Sequence, residues 1–352
     1  MNDEAILNIL KQVKYPGFSR DLVSFGLVQQ AEMHGKTAKV ILEVSTSDQS
    51  LPRTIQKEVE EALRADGNIE NAEVMVRVKK NTGSQNEQSG QASENLSGVK
   101  RIIAVASGKG GVGKSTLSVN LACALAKRKD SKGEPFKIGL MDCDLYGPSV
   151  PLLIGTSDRP ELVAENTLAP VESYAVKTIS MGLLIDEDSP VVWRGPMIMK
   201  TIQQFAHNVV WGDLDYLLID LPPGTGDAQL SLAQILPLDG ALIVTTPQKA
   251  AVDVARRGAR MFEKVNVPIL GVVENMSYLL DEKSGKKTHI FGEGGGAKTA
   301  QVLKCPFLGE IPLDEEVRLG GDHGTPVVVA NPENPSSRKI YEVAQKITEL
   351  LP

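Results

Sequence analysis

The sequence predicts an α/β fold, a doubly wound and mainly parallel sheet, preceded by a small α+β domain. Three observations predict it. A glycine-rich segment at 107–116 joins a short apolar run to a stretch of helical apolar spacing. Beyond residue 99, apolar strands alternate with helices, as in sheets buried on both faces. A polar stretch at 81–98, almost free of apolar groups, separates this pattern from a different one before it. Such a stretch buries too little surface to offset its ordering entropy and reads as a flexible linker. The expected domains are 1–80, linker 81–98, and 99–352.

In the first domain, apolar spacing predicts a helix over Glu4–Val13. Leu22–Met33 and Ala38–Val44 read as strands, with His34-Gly-Lys36 as the turn between them. Pro52–Ala65 carries Ile55, Val59, Ala62 and Leu63 on one face, so a helix, and Ala72–Val78 alternates like a strand. The order is α-β-β-α-β. In the second domain, Val99–Ala106 is a β-branched run and Leu117–Lys127 has Leu117, Leu121, Ala124 and Leu125 at helical spacing. Further strands are expected at Lys137–Met141, Ala175–Met181, Tyr216–Leu221, Ala241–Thr246, Ile269–Val273 and Phe307–Ile311. Ligands of such sheets sit at the C-terminal ends of the strands.

The bulk composition excludes several classes. Net charge is −6 and the isoelectric point about 5.5, which argues against a broadly basic nucleic-acid surface. No apolar run approaches the ~20 residues of a membrane helix. The acidic start, Met1-Asn-Asp-Glu-Ala5, is not that of a signal peptide. Cys123, Cys143 and Cys305 are scattered, so a reducing cytoplasm is expected and a disulfide framework is not. The C-terminal segment Ile340–Pro352 has an apolar face without the basic residues that anionic lipid binding favours, so no membrane partner is expected.

Residues Ser107-Gly-Lys-Gly-Gly-Val-Gly-Lys-Ser-Thr116 fit the phosphate-binding pattern G-x-x-x-x-G-K-[ST]. Gly108, Lys109, Gly110, Gly111, Val112, Gly113, Lys114, Ser115 and Thr116 therefore form the expected nucleotide-binding loop. Its glycines let backbone N–H groups converge, and the following helix adds its positive end. Lys114 is placed to reach the β- and γ-phosphates, and the Ser115 hydroxyl to bind Mg²⁺. A plain flexible loop has no need of Lys-Ser-Thr at this offset. Two further strands end in acids, Gly139-Leu-Met-Asp142-Cys-Asp144 and Tyr216-Leu-Leu-Ile-Asp220. Asp142 and Asp144, two apart, share a face if the strand continues through both. Asp220 ends an aliphatic run, the Walker B pattern, and Gly224 follows where a backbone N–H could sense a γ-phosphate.

The Lys109 and Lys114 pair, Asp142-Cys-Asp144 and Asp220-Leu-Pro-Pro-Gly224 resemble the deviant-Walker ATPases related to MinD and ParA. Trp193-Arg-Gly-Pro-Met197, Asp220–Asp227, Glu274-Asn-Met-Ser277 and Phe291-Gly-Glu-Gly-Gly-Gly296 narrow the resemblance to the Mrp/Nbp-type ATPases, carriers of iron–sulfur clusters. The N-terminal unit resembles the small iron–sulfur-assembly domain of many bacterial members. The resemblance implies ATP hydrolysis by a homodimer, with apoproteins or scaffold proteins as partners. It implies that Lys109 reaches the partner's nucleotide and that Asp144 orients the attacking water. It assigns Asp142 and Asp220, with Ser115, to the Mg²⁺ shell. Asn275 would face adenine, with the loop near Pro312 closing over the base. Without the resemblance, Asn275 reads as a strand-end turn former.

One departure limits what the resemblance implies. Cluster-carrying members have a C-x-x-C motif shortly after the Asn-Met-Ser-Tyr segment, and here Asp281 and Ser284 stand in its cysteine positions. Hard oxygen donors match poorly a cluster normally held by thiolates. None of the other cysteines restores the site by spacing, and His289, close by, reads as a packing residue. The sequence therefore supports an ATPase residue by residue, and the iron–sulfur cluster as cofactor only through the resemblance. The alternative is a cluster-free nucleotide switch that binds a protein or DNA as an ATP-dependent dimer, with the acidic balance weighing against DNA.

Overall fold

The computed structural model describes residues 4–13, 22–23, 27–44, 51–66, 69, 71–78, 96–144, 147–164, 167–184, 195–224, 226–281 and 283–352. The chain divides into two compact units, Met1–Gly90 and Gln91–Pro352. Most of the expected linker lies outside the described residues.

The first unit holds helix α1 (Glu4–Leu10), strands β1 (Val28–His34) and β2 (Thr37–Val44), helix α2 (Leu51–Arg64) and strand β3 (Asn71–Val78). The sheet order is β1-β2-β3, the first pair antiparallel and the second parallel. Alternation on β2 turns Ala38, Val40 and Leu42 inward, onto Ile55, Val59 and Leu63 of α2 and Ile6 and Leu10 of α1. The expected strand from Leu22 is shorter in the structure. The Leu22 N–H donates to the Val13 carbonyl and the Leu27 N–H to the Leu22 carbonyl, so this segment folds back and pairing begins at Val28.

The second unit opens with β4 (Val99–Ser107), α3 (Lys114–Ala126), β5 (Ile138–Asp142) and the short α4 (Val150–Ile154). Small strands β6 (Leu162–Ala164), β7 (Thr167–Leu168), β8 (Val171–Ser173) and β9 (Val176–Ile179) follow, then α5 (Gly195–His207), β10 (Leu214–Asp220), α6 (Asp227–Ile235) and β11 (Gly240–Thr245). The rest is α7 (Lys249–Lys264), β12 (Ile269–Glu274), β13 (Leu279–Leu280), β14 (Lys287–Thr288), α8 (Gly295–Leu303), β15 (Phe307–Glu310), α9 (Glu315–Asp322), α10 (Val327–Ala330) and α11 (Pro335–Leu350). The sheet order is β15-β12-β11-β4-β10-β5-β9-β8. Every pairing is parallel except β8 on β9. Strand β4 lies where the strand order reverses, the point at which such sheets bind ligands.

Two apolar layers cover the sheet. On one face, α3, α10 and α11 pack on Ile103, Val105, Leu140 and Leu218. On the other, α5, α6 and α7 pack on Ala104, Met141, Leu217 and Ile219, with Trp211 and Phe262 fully buried. The expected strand at Ala175–Met181 is shorter. It ends at Ile179, and the Ser180 hydroxyl accepts from the Gly182 N–H to start a 3₁₀ turn. The expected helix at Leu117 begins earlier, at Lys114, because Gly113 (φ +75°) turns the chain left-handed there. Leu121, on the buried face of α3, is fully enclosed. Leu121→Ala is expected to cost about 2–5 kcal/mol, measured as a shift of the urea unfolding transition of the second unit.

Candidate nucleotide site

Strand parity aims the acids. Along β10, Tyr216 and Leu218 face the α3 layer, so Asp220 does too. Along β5, Ile138 and Leu140 face the same layer, and Asp142 follows them. Asp220 and Asp142 are paired neighbours in register. Both carboxylates therefore stand side by side at the strand tips, under the start of α3. Cys143, one residue on, turns into the opposite layer.

Asp220 is wholly buried and held by three side chains of α3. Lys114 Nζ donates to its Oδ2 at 2.7 Å, Ser115 Oγ to the same oxygen at 2.6 Å, and Ser118 Oγ to Oδ1 at 2.6 Å. Asp142, also buried, accepts from the Ser180 hydroxyl at 2.9 Å and from the Asp144 N–H at 3.0 Å. Burial, and then the neighbouring Asp220 charge, push the Asp142 carboxyl up to about 7. The strand ends at Asp142, so Asp144 stands in the loop beyond it rather than on a shared strand face. Asp144 lines a cavity of about 250 Å³ together with the loop residues 109–116, Ser149 and Pro223.

The oxygens of Ser115, Asp142 and Asp220 form a hard donor set that suits Mg²⁺. Two carboxylates beside one lysine also leave a deficit of positive charge, which a divalent ion would offset. The loop's N–H groups and the α3 terminus suit the phosphates. A second cavity of about 270 Å³ adjoins the first through Gly113 and Thr116, and is lined by Asn275, Met276, Pro312, Leu313 and Arg318. Asn275 Nδ2 donates to the Val112 carbonyl at 2.9 Å, which ties this pocket to the loop. Met276 has φ +52°, a left-handed conformation uncommon for a non-glycine residue. The Gly224 N–H, expected to sense a phosphate, donates to the Ser107 carbonyl at 3.1 Å. In this arrangement it fastens the loop instead.

Lys109 Nζ donates to Gln248 Oε1 at 3.1 Å. Sequence reasoning did not find Gln248, nor Ser118 and Ser180. Ser118 carried a signal, since it follows Lys114 by one helical turn. Ser180 and Gln248 come from distant strand ends and carried none. Glu274 is another unforeseen contact: fully buried, it accepts from the Ser277 hydroxyl at 2.6 Å and from the Gly296 N–H. It thereby joins the Asn275-Met-Ser277 segment to the start of α8.

Asp281 and Ser284 sit at the tip of the β13–β14 hairpin, both exposed. Asp281 Oδ1 accepts from the Lys283 and Ser284 N–H groups, each at 3.0 Å, and Ser284 Oγ accepts from the Lys286 N–H at 3.3 Å. The Ser284 N–H, chiefly, holds the Asp281 carboxyl below its usual value. These two side chains build the turn. Cys123 and Cys143 are buried, Cys305 is half-buried, and all three are free thiols. Burial pushes Cys123 up to about 12, which makes it inert. His289 is 3.7 Å from Glu293 and its ring meets Tyr278 edge-on. Trp193 and Arg194 of the Trp-Arg-Gly-Pro motif lie outside the described residues. Among the described residues, no helix is long and apolar enough to cross a membrane.

Comparison with known proteins decides the family. Residues 98–348 match the family described as NUBPL iron-transfer P-loop NTPase. The chain belongs to this family. Residues 3–76 match the iron–sulfur cluster assembly protein family. The iron–sulfur cluster carrier protein of Synechocystis is 40% identical over 99% of this chain and 97% of that protein. The Arabidopsis thaliana iron–sulfur protein required for NADH dehydrogenase is 50% identical over 72% of this chain and 80% of that protein. A nucleotide-binding protein from Archaeoglobus fulgidus, solved in complex with ADP, is 38% identical with a TM-score of 0.60, covering 70% of this chain and 94% of that one. Aquifex aeolicus MinD shares the fold at 24% identity and a TM-score of 0.50, over 71% of this chain and 97% of that one. The chain is thus a nucleotide-binding P-loop NTPase of the iron–sulfur carrier family.

Asp142 makes the nucleotide-free site pH-sensitive. Its folded value, raised from 3.8 to about 7, means the folded state binds more protons than the unfolded one between those values. The stability it contributes therefore falls as pH rises through that window. Asp142→Asn removes the penalty. In EDTA without nucleotide, the variant is expected to melt above the parent at pH 8, the gap closing by pH 5, as read by differential scanning fluorimetry.

Proposed function

We propose that the chain is a Mg²⁺-dependent ATPase that acts as an ATP-dependent homodimer in iron–sulfur cluster assembly. The observation that carries this reading is the capture of Asp220 by Lys114, Ser115 and Ser118. It brings the phosphate-binding lysine and the oxygen donors of a cation site to one point. Mg²⁺, when bound, supplies the positive charge that the β- and γ-phosphates and the two carboxylates share. Lys114 would bind the phosphates, and the oxygens of Ser115, Asp142 and Asp220 would hold the ion. Asp144, lining the phosphate cavity, orients the attacking water. Lys109 contributes its charge to the partner's nucleotide, and Asn275 and Pro312 take the base. Gly224 contributes its N–H only if the bond to Ser107 opens.

We assign residues 1–80 to an assembly-type domain, 81–98 to a linker and 99–352 to the ATPase domain. Three free thiols fit a reducing cytoplasm. Iron–sulfur apoproteins or scaffold proteins are the partners that the relatives' names suggest. The donor set of this chain does not fit a thiolate-held cluster at the hairpin. Asp281 and Ser284 are oxygen donors engaged in the turn, and the three thiols lie elsewhere. A cluster handled by this protein then takes its thiolates from a partner. The same observation favours a second reading, a nucleotide switch that carries no cluster.

Anaerobic reconstitution with ferrous iron and sulfide, followed by the visible spectrum and an iron count per dimer, tests the donor argument that both readings share. No bound cluster alongside intact ATP turnover is the expected outcome, and a stoichiometric, transferable cluster would refute the donor argument. Lys114→Ala is expected to weaken nucleotide binding or turnover about a hundredfold, measured by calorimetry and phosphate release. Lys109→Ala should lower turnover strongly while leaving the melting temperature nearly unchanged. Normal turnover in both variants would sink the assigned roles.

A further inference from the structure

We infer that Gln248 is a positioning residue that docks Lys109 inside its own subunit, in competition with Lys109's reach toward a partner subunit. The inference rests on the role proposed above for Lys109. Three observations carry it. The first is the contact itself, Lys109 Nζ to Gln248 Oε1 at 3.1 Å between two half-buried side chains. The second is that Gln248 is the N-cap of α7 and yet its side chain caps nothing. N-caps favour Ser, Thr, Asp or Asn, whose short side chains reach the first N–H groups. Gln248 breaks that local rule and spends its amide on Lys109, the kind of departure expected at functional sites. Its backbone is fixed, because its carbonyl accepts from the Ala251 and Val252 N–H groups.

The third observation is the seating of the loop on α7. A Cβ at Gly108 would lie 2.5 Å from the Val254 carbonyl carbon and the Ala255 nitrogen. Only glycine permits this approach, which seats the loop directly against the helix that carries Gln248. The docking partner is a neutral amide. It orients the ammonium without neutralising it, and so binds it less tightly than a carboxylate would. Lys109 is thus held ready rather than trapped, and its release accompanies dimer formation.

ATP turnover measured across protein concentration tests this in the full-length chain. Gln248→Ala is expected to reach half-maximal specific activity at about three- to tenfold lower protein concentration than the parent. Gln248→Glu, which offers Lys109 a full charge, should shift that midpoint to higher concentration by a similar factor. In a Lys109→Ala background, where turnover is low, the Gln248 substitutions should leave the ATP-dependent dimerisation midpoint, read by analytical ultracentrifugation, unmoved. Unshifted midpoints, or shifts in the reverse order, overturn the role of Gln248. So does a Gln248→Ala effect that persists without Lys109. Full turnover in Lys109→Ala alone would instead overturn the role of Lys109. Melting temperatures verify that each variant is folded.

Discussion

A buried carboxylate must be paired, and the tip of β10 is organised around that requirement. Asp220 is removed from water at the centre of the sheet, where an unpaired charge would be costly. Three donors from the first turns of α3 converge on it. Gly113 sets where α3 starts, and the convergence on Asp220 ties its first turns across the strand ends. The loop's other contacts then follow. Gly224 closes on Ser107, Asn275 on Val112, and Gly108 seats against α7. A cluster of this kind is weak evidence for stability in itself. Its value lies in specifying one arrangement, in which lysine, hydroxyls and carboxylates already face the same point.

The arrangement also shows how the acids divide their work. Asp220 is compensated by α3, whereas among the described residues Asp142 has a hydroxyl and an N–H as its hydrogen-bond partners and is left short of positive charge. The second acid therefore has the larger appetite for a cation. Asp144 lies beyond the strand, in reach of the cavity rather than behind it. Adjacent acids of one sequence motif thus acquire different environments because a strand ends between them.

Much of this was legible in the sequence. Segments buried on both faces, such as β4, β10 and β11, announce themselves as apolar runs, and the glycine loop between β4 and α3 carries its own chemistry. The tips of β5 and β10 were readable because each apolar run ends in an acid, Asp142 and Asp220, although the strand face expected for Asp142 and Asp144 together ends between them. The edges were less so. The strand expected from Leu22 folds back through one hydrogen bond to Val13, a contact that no local pattern displays. Ser180 and Gln248 lie 38 and 139 residues from the side chains they hold. Such pairings depend on topology, and single-residue identity does not reveal them. Gln248 is a case in which local preference points the other way, since a glutamine at a helix start looks merely suboptimal.

The β13–β14 hairpin has a different lesson. Where corner residues are metal ligands, the shape of a turn depends on what it holds, and loss of the metal loosens it. Here the corner closes on itself: Asp281 receives two backbone N–H groups and Ser284 a third. The tip is self-supporting. Chelators and oxidants, which dismantle thiolate corners, have nothing in it to act on, and its geometry is indifferent to cargo.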